Sequence, residues 1–302
     1  MASFKPLRTA LFVPGNRPDR VRKALNSPAD AVIIDLEDAV PYSEKQTARL
    51  LVREIIDSNR ERRIYVRVND LATKYIMADL EAVVCENITG IMLPKVERPE
   101  EIFEIDRMLC ERESTAGLPI GNLEVIPIIE SAKGIQEIYR IVSARPERQR
   151  VGTVAFGAAD FTLDLGIELT REGMELAYPR ARLAVTCRAG GIMPPLDSPW
   201  MVDIHDIDGL IAEAKRAKAL GFQGKLVIHP NQIEPCHEVF TPSAEEIAQA
   251  QKVIKAFEKA EREGKAAIQL DGKFLDYAVV KRSKRICELA KIISNQSLQR
   301  KQ

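Results

Sequence analysis

The chain repeats one unit eight times: a short apolar run, a polar tip, and a stretch with helical periodicity. Strands that alternate with helices in this way are typical of a parallel sheet with right-handed crossovers. Eight such units predict an α/β fold that closes into a (β/α)8 TIM barrel. An open doubly wound sheet is the alternative, but the glycine-rich loops that usually accompany it, GxGxxG and GxxxxGK, are absent. The predicted strands are residues 7–13, 31–34, 64–68, 90–93, 125–129, 151–156, 191–193 and 225–228.

The fifth unit shows the pattern most clearly, because its apolar run of residues 125–129 stops at a single carboxylate, Glu130. A continuous apolar run predicts a strand buried on both faces. An unpaired charge buried at its end would cost several kcal/mol, so Glu130 must face solvent, a metal or a partner.

Residues 1–238 are predicted to form the barrel, and residues 239–302 a C-terminal helical extension. Ser43 and Gln46 have the spacing of a capping box at the start of a helix. In the extension we expect helices over residues 243–263 and from residue 277 to about residue 293. Because closing a barrel does not need this extension, we interpret it as a lid or an oligomer contact.

Composition narrows the class of protein. The 302 residues carry 44 Lys+Arg and 44 Asp+Glu, and this balance argues against nucleic-acid or membrane-surface binding, although a local basic pocket for a phosphorylated ligand stays possible. The five cysteines contain no CxxC pair, which argues against a disulfide framework or a zinc site and favours a reducing cytoplasm. No signal peptide or membrane span is predicted from the sequence.

Two carboxylates follow consecutive predicted strands, Glu130 after the fifth and Asp160 after the sixth. In a barrel they would meet at one mouth, about 5 Å apart at the backbone. Paired carboxylates suit Mg²⁺, which prefers oxygen ligands and keeps several waters. For either residue alone we favour an ordinary role, with Glu130 complementing a helix dipole and Asp160 serving as a turn or cap residue. For the pair together we favour a metal.

Other charged residues follow the second, third and fourth strands. Asp35, Glu37 and Asp38 form an acidic cluster that would either hold the waters of the metal or make a solvated loop. Arg67 interrupts an apolar strand near its end, where it would neutralise a carboxylate or bind an anionic substrate group or an enolate oxygen. Lys95 is either a salt-bridge partner or a lysine that forms a Schiff base with the substrate.

Four basic residues follow the first strand: Arg17, Arg20, Arg22 and Lys23. They would either bind the phosphates of a nucleotide-like tail or form a solvated helix face.

Two further residues have both an ordinary and a functional interpretation. His229 tips the eighth strand as a turn residue or a ligand contact. Asp276 precedes the last helix as an N-cap or an acid–base group.

The chain also resembles the citrate lyase β-subunit-like family, which includes malyl-CoA and citramalyl-CoA lyases. The resemblance extends from about Leu7 to Ile293. It is carried by these segments, in this order: LFVPGNRPDR, AVIIDLEDAV, VRVN, IMLPKVE, PIIES, FGAADF, GFQGKLVIHPNQI and DGKFLD.

The resemblance implies a TIM barrel that binds Mg²⁺ and cleaves or forms a carbon–carbon bond beside a thioester. Glu130 and Asp160 would then be the metal ligands, with Glu37 and Asp38 on metal-bound waters. Arg67 would contact the substrate carboxylate or thioester oxygen. Asp276 would be the acid that the family supplies to the active site of an adjacent subunit, which implies a homotrimer or a hexamer. The family usually has proline two residues after this Asp, where this chain has Ala278.

Four functions are compatible with these residues. The first is a Mg²⁺-dependent lyase that cleaves a citramalyl-, malyl- or citryl-CoA thioester into a 2-oxo acid and an acyl-CoA. Arg17, Arg20, Lys23, Arg67 and Lys95 are its candidate substrate and CoA contacts. The second is the β subunit of citrate lyase, acting on a citryl group carried by an acyl-carrier protein. The third is a thioesterase with the same metal, and the fourth is a non-catalytic ligand-binding or scaffold protein. Pyruvate, glyoxylate and oxaloacetate differ by one small substituent, worth only about 1–3 kcal/mol in a pocket, so the sequence does not select the 2-oxo acid.

Overall fold

The computed structural model describes residues 6–59 and 62–299 and contains the predicted barrel. Eight parallel strands close in sequential order, from β1 through β8 and back to β1. The prediction of a (β/α)8 barrel is therefore confirmed. The strands are β1 (Thr9–Pro14), β2 (Ala31–Asp35), β3 (Ile64–Arg67), β4 (Gly90–Leu93), β5 (Glu124–Ile129), β6 (Ala155–Phe156), β7 (Leu196–Asp197) and β8 (Gly224–Val227).

Side chains of alternate strand residues fill the barrel interior, as the two-residue period of a strand requires. This core has a single tyrosine among aliphatic residues, and the strand register places its members side by side. Its members are Leu7, Ala10, Ala31, Ile33, Tyr65, Met92, Ile126, Ile128, Ala155, Leu196 and Leu226, with Phe12 packed against them. The interior is thus a packed core, and polar groups are left to the strand ends.

Helices follow the strands and form the outer layer. The first eight are α1 (Pro18–Leu25), α2 (Lys45–Asp57), α3 (Ile76–Val83), α4 (Pro99–Thr115), α5 (Ala132–Val142), α6 (Ala158–Leu165), α7 (Ala177–Ala189) and α8 (Ile207–Leu220). Among the described residues, no helix is both long enough and apolar enough to cross a membrane.

Several local predictions are wrong. The seventh strand is Leu196–Asp197 rather than residues 191–193, because Gly191 has a positive φ of 74° and still belongs to the turn after α7. The sixth strand keeps only Ala155–Phe156, and Val151 makes an isolated bridge to Val125. Ser43 does not cap a helix, because it lies inside a 3₁₀ turn, Tyr42–Glu44, that precedes α2.

The chain divides into two compact units, with the barrel in residues 7–236. The unit from residue 237 onward contains α10 (Ala244–Arg262), a hairpin of β9 (Ile268–Leu270) and β10 (Lys273–Leu275), and α11 (Tyr277–Gln299), while α9 (Ile233–Phe240) spans the division. The sequence placed the boundary after residue 238 and did not predict the hairpin. The last helix extends to Gln299, beyond the predicted end at about residue 293.

The second unit has its own apolar core of Val253, Phe257, Leu275 and Val280. Ser243 caps α10 in a capping box with Glu246. Gly264 ends this helix with a positive φ of 76°. The amide of Lys265 donates to the carbonyl of Ala260, and that of Gly264 donates to Glu261, which is the Schellman pattern.

Candidate active site

The carboxyl ends of β5 and β6 bring Glu130 and Asp160 to one mouth of the barrel. Glu130 directly follows β5, and Asp160 lies in the first turn of α6. Gly157 makes room for the Glu130 side chain, because a Cβ at position 157 would lie 2.6 Å from the Cβ of Glu130 and overlap its carboxylate. The glycine is therefore required by close packing at the site.

Glu130 is an almost fully buried carboxylate, with 5% of its surface exposed. Burial, and to a smaller extent the charge of Asp160, raise the pKa of its carboxyl to about 8, while the hydrogen bond from the amide of Lys95 opposes this shift. That amide donates to Oε1 of Glu130 at 2.7 Å. A cation placed between the two carboxylates would offset this cost of burial.

Arg67, at the end of β3, joins the carboxylates of the neighbouring strand. Its Nε and Nη2 donate to the two oxygens of Asp35 at 2.8 and 2.6 Å, and Nη1 lies 2.9 Å from Oε2 of Glu37. The guanidinium also stacks 5.1 Å from the ring centre of Phe12. The structure therefore shows the charge-neutralising arrangement, in which Nη1 and Nη2 each carry a second N–H group beyond the one that faces a carboxylate.

Lys95 follows β4 and holds the same acidic cluster from the other side. Its ammonium lies 2.6 Å from Glu37 and 3.7 Å from Asp38. Burial lowers the pKa of Lys95, but the hydrogen bond and charge of Glu37 outweigh it, so the pKa is raised. A cation held in this way is a salt-bridge partner and not the neutral amine that a Schiff base needs. Its backbone has a positive φ of 56°, unusual for lysine.

The acidic cluster after β2 is not uniform. Glu37 is buried, and burial raises the pKa of its carboxyl against the opposing charge of Arg67. Its Oε2 forms no hydrogen bond, although it lies close to Arg67. Asp38 is exposed, and Asp35 is bound by Arg67. Asp38 is therefore the solvent-exposed member of the cluster, whereas Glu37 faces the interior of the site.

The donor set fits a hard divalent cation. Glu130 and Asp160 supply carboxylate oxygens, and the buried Oε2 of Glu37 has capacity for a hydrogen bond from a metal-bound water. In the described part of the chain, no cluster of three or more His, Cys, Asp or Glu side chains could hold a metal. Two protein ligands with the other positions left to water and substrate is the pattern that Mg²⁺ accepts and Zn²⁺ does not.

The predicted phosphate-binding cations lie on and before α1. Arg17, Arg20, Arg22 and Lys23 are all exposed, and across residues 6–59 and 62–299 none of them forms an ion pair. The amide side chain of Asn16 donates to Oε2 of Glu44 at 2.6 Å. This bond joins the segment that begins α1 to the turn that begins α2.

The remaining two candidates have ordinary structural roles in the chain itself. Asp276 lies in the second unit, where its Oδ1 accepts the amide of Val279 at 3.0 Å and so caps α11. His229 accepts the amide of Asn231 at the start of a 3₁₀ turn.

Sequence reasoning missed three residues that shape this mouth: Gly157, Phe12 and Lys45. The ammonium of Lys45 is buried and donates to the carbonyls of Leu36 and Glu37, which fixes the acidic cluster to α2. Of these three residues, only Gly157 had a weak signal in the sequence, because it lies three residues before the candidate metal ligand Asp160. Lys45 reads as an ordinary helix residue.

Known proteins share the sequence of this chain over most of its length. The chain matches the family described as HpcH/HpaI aldolase/citrate lyase over residues 8–230, and the family described as C–C bond lyase of the TIM-barrel fold over residues 183–293. The citrate lyase subunit beta of Leuconostoc mesenteroides subsp. cremoris is 36% identical over 285 residues, which cover 94% of this chain and 93% of the relative. The mitochondrial citramalyl-CoA lyase of Rattus norvegicus is 32% identical over 303 residues, which cover 95% of this chain and 87% of the relative.

A solved structure extends the likeness to the fold. The protein CitE from Mycobacterium tuberculosis, in complex with magnesium, acetoacetate and coenzyme A, matches with a TM-score of 0.76 at 29% identity and covers 96% of this chain and 100% of that chain. The resemblance seen in the sequence motifs is thereby confirmed. The chain belongs to the HpcH/HpaI aldolase/citrate lyase family.

Proposed function

We propose that this protein is a Mg²⁺-dependent carbon–carbon lyase that cleaves a 3-hydroxyacyl-CoA thioester into a 2-oxo acid and an acyl-CoA. Membership of the family supports carbon–carbon lyase activity. The observation that carries the assignment of the site is the pairing of the buried Glu130 with Asp160 at consecutive strand ends. Citramalyl-, malyl- and citryl-CoA are the candidate substrates.

Glu130 and Asp160 would hold the metal, with Glu37 and Asp38 on its waters. When bound, Mg²⁺ supplies a Lewis acid and a template for the oxygens of the substrate. Arg67, oriented by Asp35 and stacked on Phe12, would direct its free N–H groups at the thioester oxygen, where negative charge develops as the enolate forms. Lys95 would stabilise the acidic cluster as a fixed positive charge and bind an anionic substrate group with its half-exposed ammonium.

Bond cleavage requires two proton movements. The substrate hydroxyl passes its proton to water at the mouth of the barrel as the carbon–carbon bond breaks, and its oxygen becomes the carbonyl of the 2-oxo acid. The bonding electron pair passes to the thioester as an enolate. An acid then protonates the enolate carbon, and we assign Asp276 of an adjacent subunit to this step. The motif DGKFLD supports that assignment, and on the family resemblance we propose that the active assembly is a homotrimer or a hexamer.

Mixing two inactive variants tests whether Asp276 acts between subunits. Glu130→Gln removes the metal ligand, and Asp276→Asn removes the acid but keeps an N-cap residue on α11. Each variant alone is expected to be inactive, and co-refolded mixtures should recover part of the wild-type rate because some sites then hold both intact residues. Light scattering on the same samples gives the oligomeric state. A mixture as inactive as its components, in an assembly that does exchange subunits, would contradict supply from a neighbour.

The proposed function is tested in the condensation direction. Purified protein is incubated with acetyl-CoA and separately with pyruvate, glyoxylate or oxaloacetate, each with Mg²⁺ and with EDTA, and new CoA adducts are followed by mass spectrometry. We expect an EDTA-sensitive adduct with one acid, which names the substrate. Adducts that form equally in EDTA would contradict a metal-dependent reaction.

A second candidate is the β subunit of citrate lyase acting on a citryl group on an acyl-carrier protein. The 36% identity to the citrate lyase subunit beta of Leuconostoc favours it. Formation of the adduct on acyl-carrier protein but not on CoA would select this candidate. Release of a hydroxy acid and free CoA without any 2-oxo acid would instead select a thioesterase.

We also propose that the protein works in a reducing compartment, the cytoplasm. All five cysteines are free thiols, and persistent disulfides are features of oxidising compartments. Cell fractionation with antibody detection tests the location, and recovery in an oxidising compartment would contradict it.

A further inference from the structure

Two tyrosines form an exposed aromatic surface beside the mouth of the barrel. Tyr42 belongs to the 3₁₀ turn before α2, and Tyr75 directly precedes α3. Their rings stack with centres 6.0 Å apart and planes at 24°. The Tyr42 side chain is 79% exposed, although an aromatic ring contributes to stability mainly when it is buried. An exposed ring that already stacks on a second ring is suited to receive a planar ligand on its other side.

Cations surround this tyrosine pair. Lys45 lies 5.5 Å from the centre of the Tyr42 ring and 5.7 Å from that of Tyr75. Arg49 and Lys74 lie 5.7 and 5.5 Å from the Tyr75 ring. Lys74 is exposed and, in the part of the chain that the structure describes, pairs with no carboxylate. The surface therefore combines an aromatic face with a free positive charge.

The tyrosine pair is tied to both parts of the proposed site. Lys45 donates to the carbonyls of Leu36 and Glu37, so the first turn of α2 is fixed to the acidic cluster. Glu44, in the same 3₁₀ turn as Tyr42, accepts from Asn16, which precedes the exposed Arg17. The aromatic surface thus lies next to the basic segment that contains Arg17, Arg20 and Lys23.

We infer that the tyrosine pair binds the adenine of coenzyme A, which stacks on the open face of Tyr42. The neighbouring basic segment would bind the phosphates of the same nucleotide. This inference rests on the proposed function and narrows it: a phosphopantetheine arm on a carrier protein has the thioester and one phosphate but no purine to stack. The tyrosine pair therefore identifies free CoA thioesters, rather than carrier-bound ones, as the substrate class.

The test compares two ligands that differ in the nucleotide. Dissociation constants for coenzyme A and for phosphopantetheine are measured by titration calorimetry on the full-length protein, with no turnover required. Tyr42→Ala should weaken coenzyme A binding about 5- to 50-fold, the effect of losing one base–aromatic stack. Phosphopantetheine binding should change less than about twofold. Tyr42→Phe should restore coenzyme A binding, because stacking needs the ring and not the hydroxyl.

Tyr139→Ala is the matched control, because Tyr139 is also an exposed tyrosine, at 54%, but lies on α5. It should leave both dissociation constants unchanged. Unchanged coenzyme A binding in Tyr42→Ala, or equal loss of both ligands, overturns the inference. So does a wild-type protein that binds the two ligands equally well, which is the behaviour expected for a carrier-protein substrate. Tyr42-dependent coenzyme A binding in a protein without lyase activity would uphold the adenine site while refuting the proposed reaction.

Discussion

At the scale of single residues, Glu130 is the residue on which the site depends most. It is buried beside a second carboxylate, an arrangement that is unfavourable without a compensating cation. Glu130→Gln keeps the size of the side chain and removes the charge. We expect Mg²⁺ affinity to fall by more than about a hundredfold, because residues that only orient a metal ligand already change metal affinity by about 10- to 100-fold when mutated. The circular dichroism spectrum should stay unchanged.

Glu104→Gln is the control for this change, because Glu104 is an exposed glutamate on α4. The Mg²⁺ affinity of the Glu104→Gln protein should equal that of the wild type when both proteins are titrated calorimetrically. Wild-type Mg²⁺ affinity in Glu130→Gln would remove this residue from the metal site.

Gly157 gives a second residue-scale prediction. A methyl group at this position would overlap the Glu130 carboxylate, so Gly157→Ala should displace it and weaken Mg²⁺ binding by at least about tenfold. Gly152→Ala is a close control, because a Cβ there meets no atom within 4 Å. The two variants are compared by Mg²⁺ titration and thermal unfolding. Equal Mg²⁺ affinity in both variants would show that the position of the Glu130 carboxylate does not depend on the missing side chain at residue 157.

At the scale of elements, a neutral cluster of four buried charges joins two helices to two strands. Arg180 of α7 and Lys225 of β8 each bind both Asp197 of β7 and Glu213 of α8, at 2.6 to 2.8 Å for their closest contacts. All four side chains are almost completely buried. Removing one partner leaves an uncompensated charge in the interior, which costs far more than the pair contributes.

Lys225→Met should therefore lower the free energy of unfolding by about 3–5 kcal/mol, the range for breaking a buried ion pair. Lys215→Met, at an exposed position of α8, should change it by less than about 0.5 kcal/mol. Urea unfolding followed by circular dichroism measures both values. A Lys225→Met protein as stable as the control would mean that the cluster relaxes or neutralises when one charge is lost.

The elements also show what the sequence could and could not predict. The strand at residues 90–93 was predicted with its observed bounds, because Gly90–Leu93 is a short apolar run between turn residues. The strand β7 was missed because Leu196–Asp197 has only two residues, one of them charged, and the pairing partners on β6 and β8 define it. Periodicity reports local burial, whereas this strand is fixed by its neighbours in space.

The site divides in the same way. Glu130, Asp160 and Arg67 could be selected from sequence because each is a charge at the end of an apolar run. Lys45 and the tyrosine pair could not, since a lysine or tyrosine near a helix start carries no pattern of its own. Their roles depend on contacts that the sequence does not encode locally, such as the bonds from Lys45 to the carbonyls of Leu36 and Glu37.

At the scale of the whole molecule, burial predicts the reactivity of the cysteines. Cys187 and Cys236 are fully buried, and burial raises the pKa of each thiol to about 12. Cys85 is also buried. Cys110 and Cys287 are partly exposed. Only a deprotonated, accessible thiol reacts quickly with alkylating agents.

Brief treatment of the native protein with iodoacetamide should modify Cys110 and Cys287 and leave the other three cysteines intact, as read by peptide mass spectrometry. Treatment in denaturant should modify all five. Rapid modification of Cys187 in the native protein would contradict the packing of α7 against the barrel.

The measurement that tests the central claim most directly is the stoichiometry of products from citramalyl-, malyl- and citryl-CoA, offered one at a time with Mg²⁺. The account predicts that one of these thioesters yields a 2-oxo acid and acetyl-CoA in equal amounts, that EDTA stops the reaction, and that Asp160→Asn is inactive. Hydroxy acid with free CoA as products, or cleavage that continues in EDTA, would contradict it.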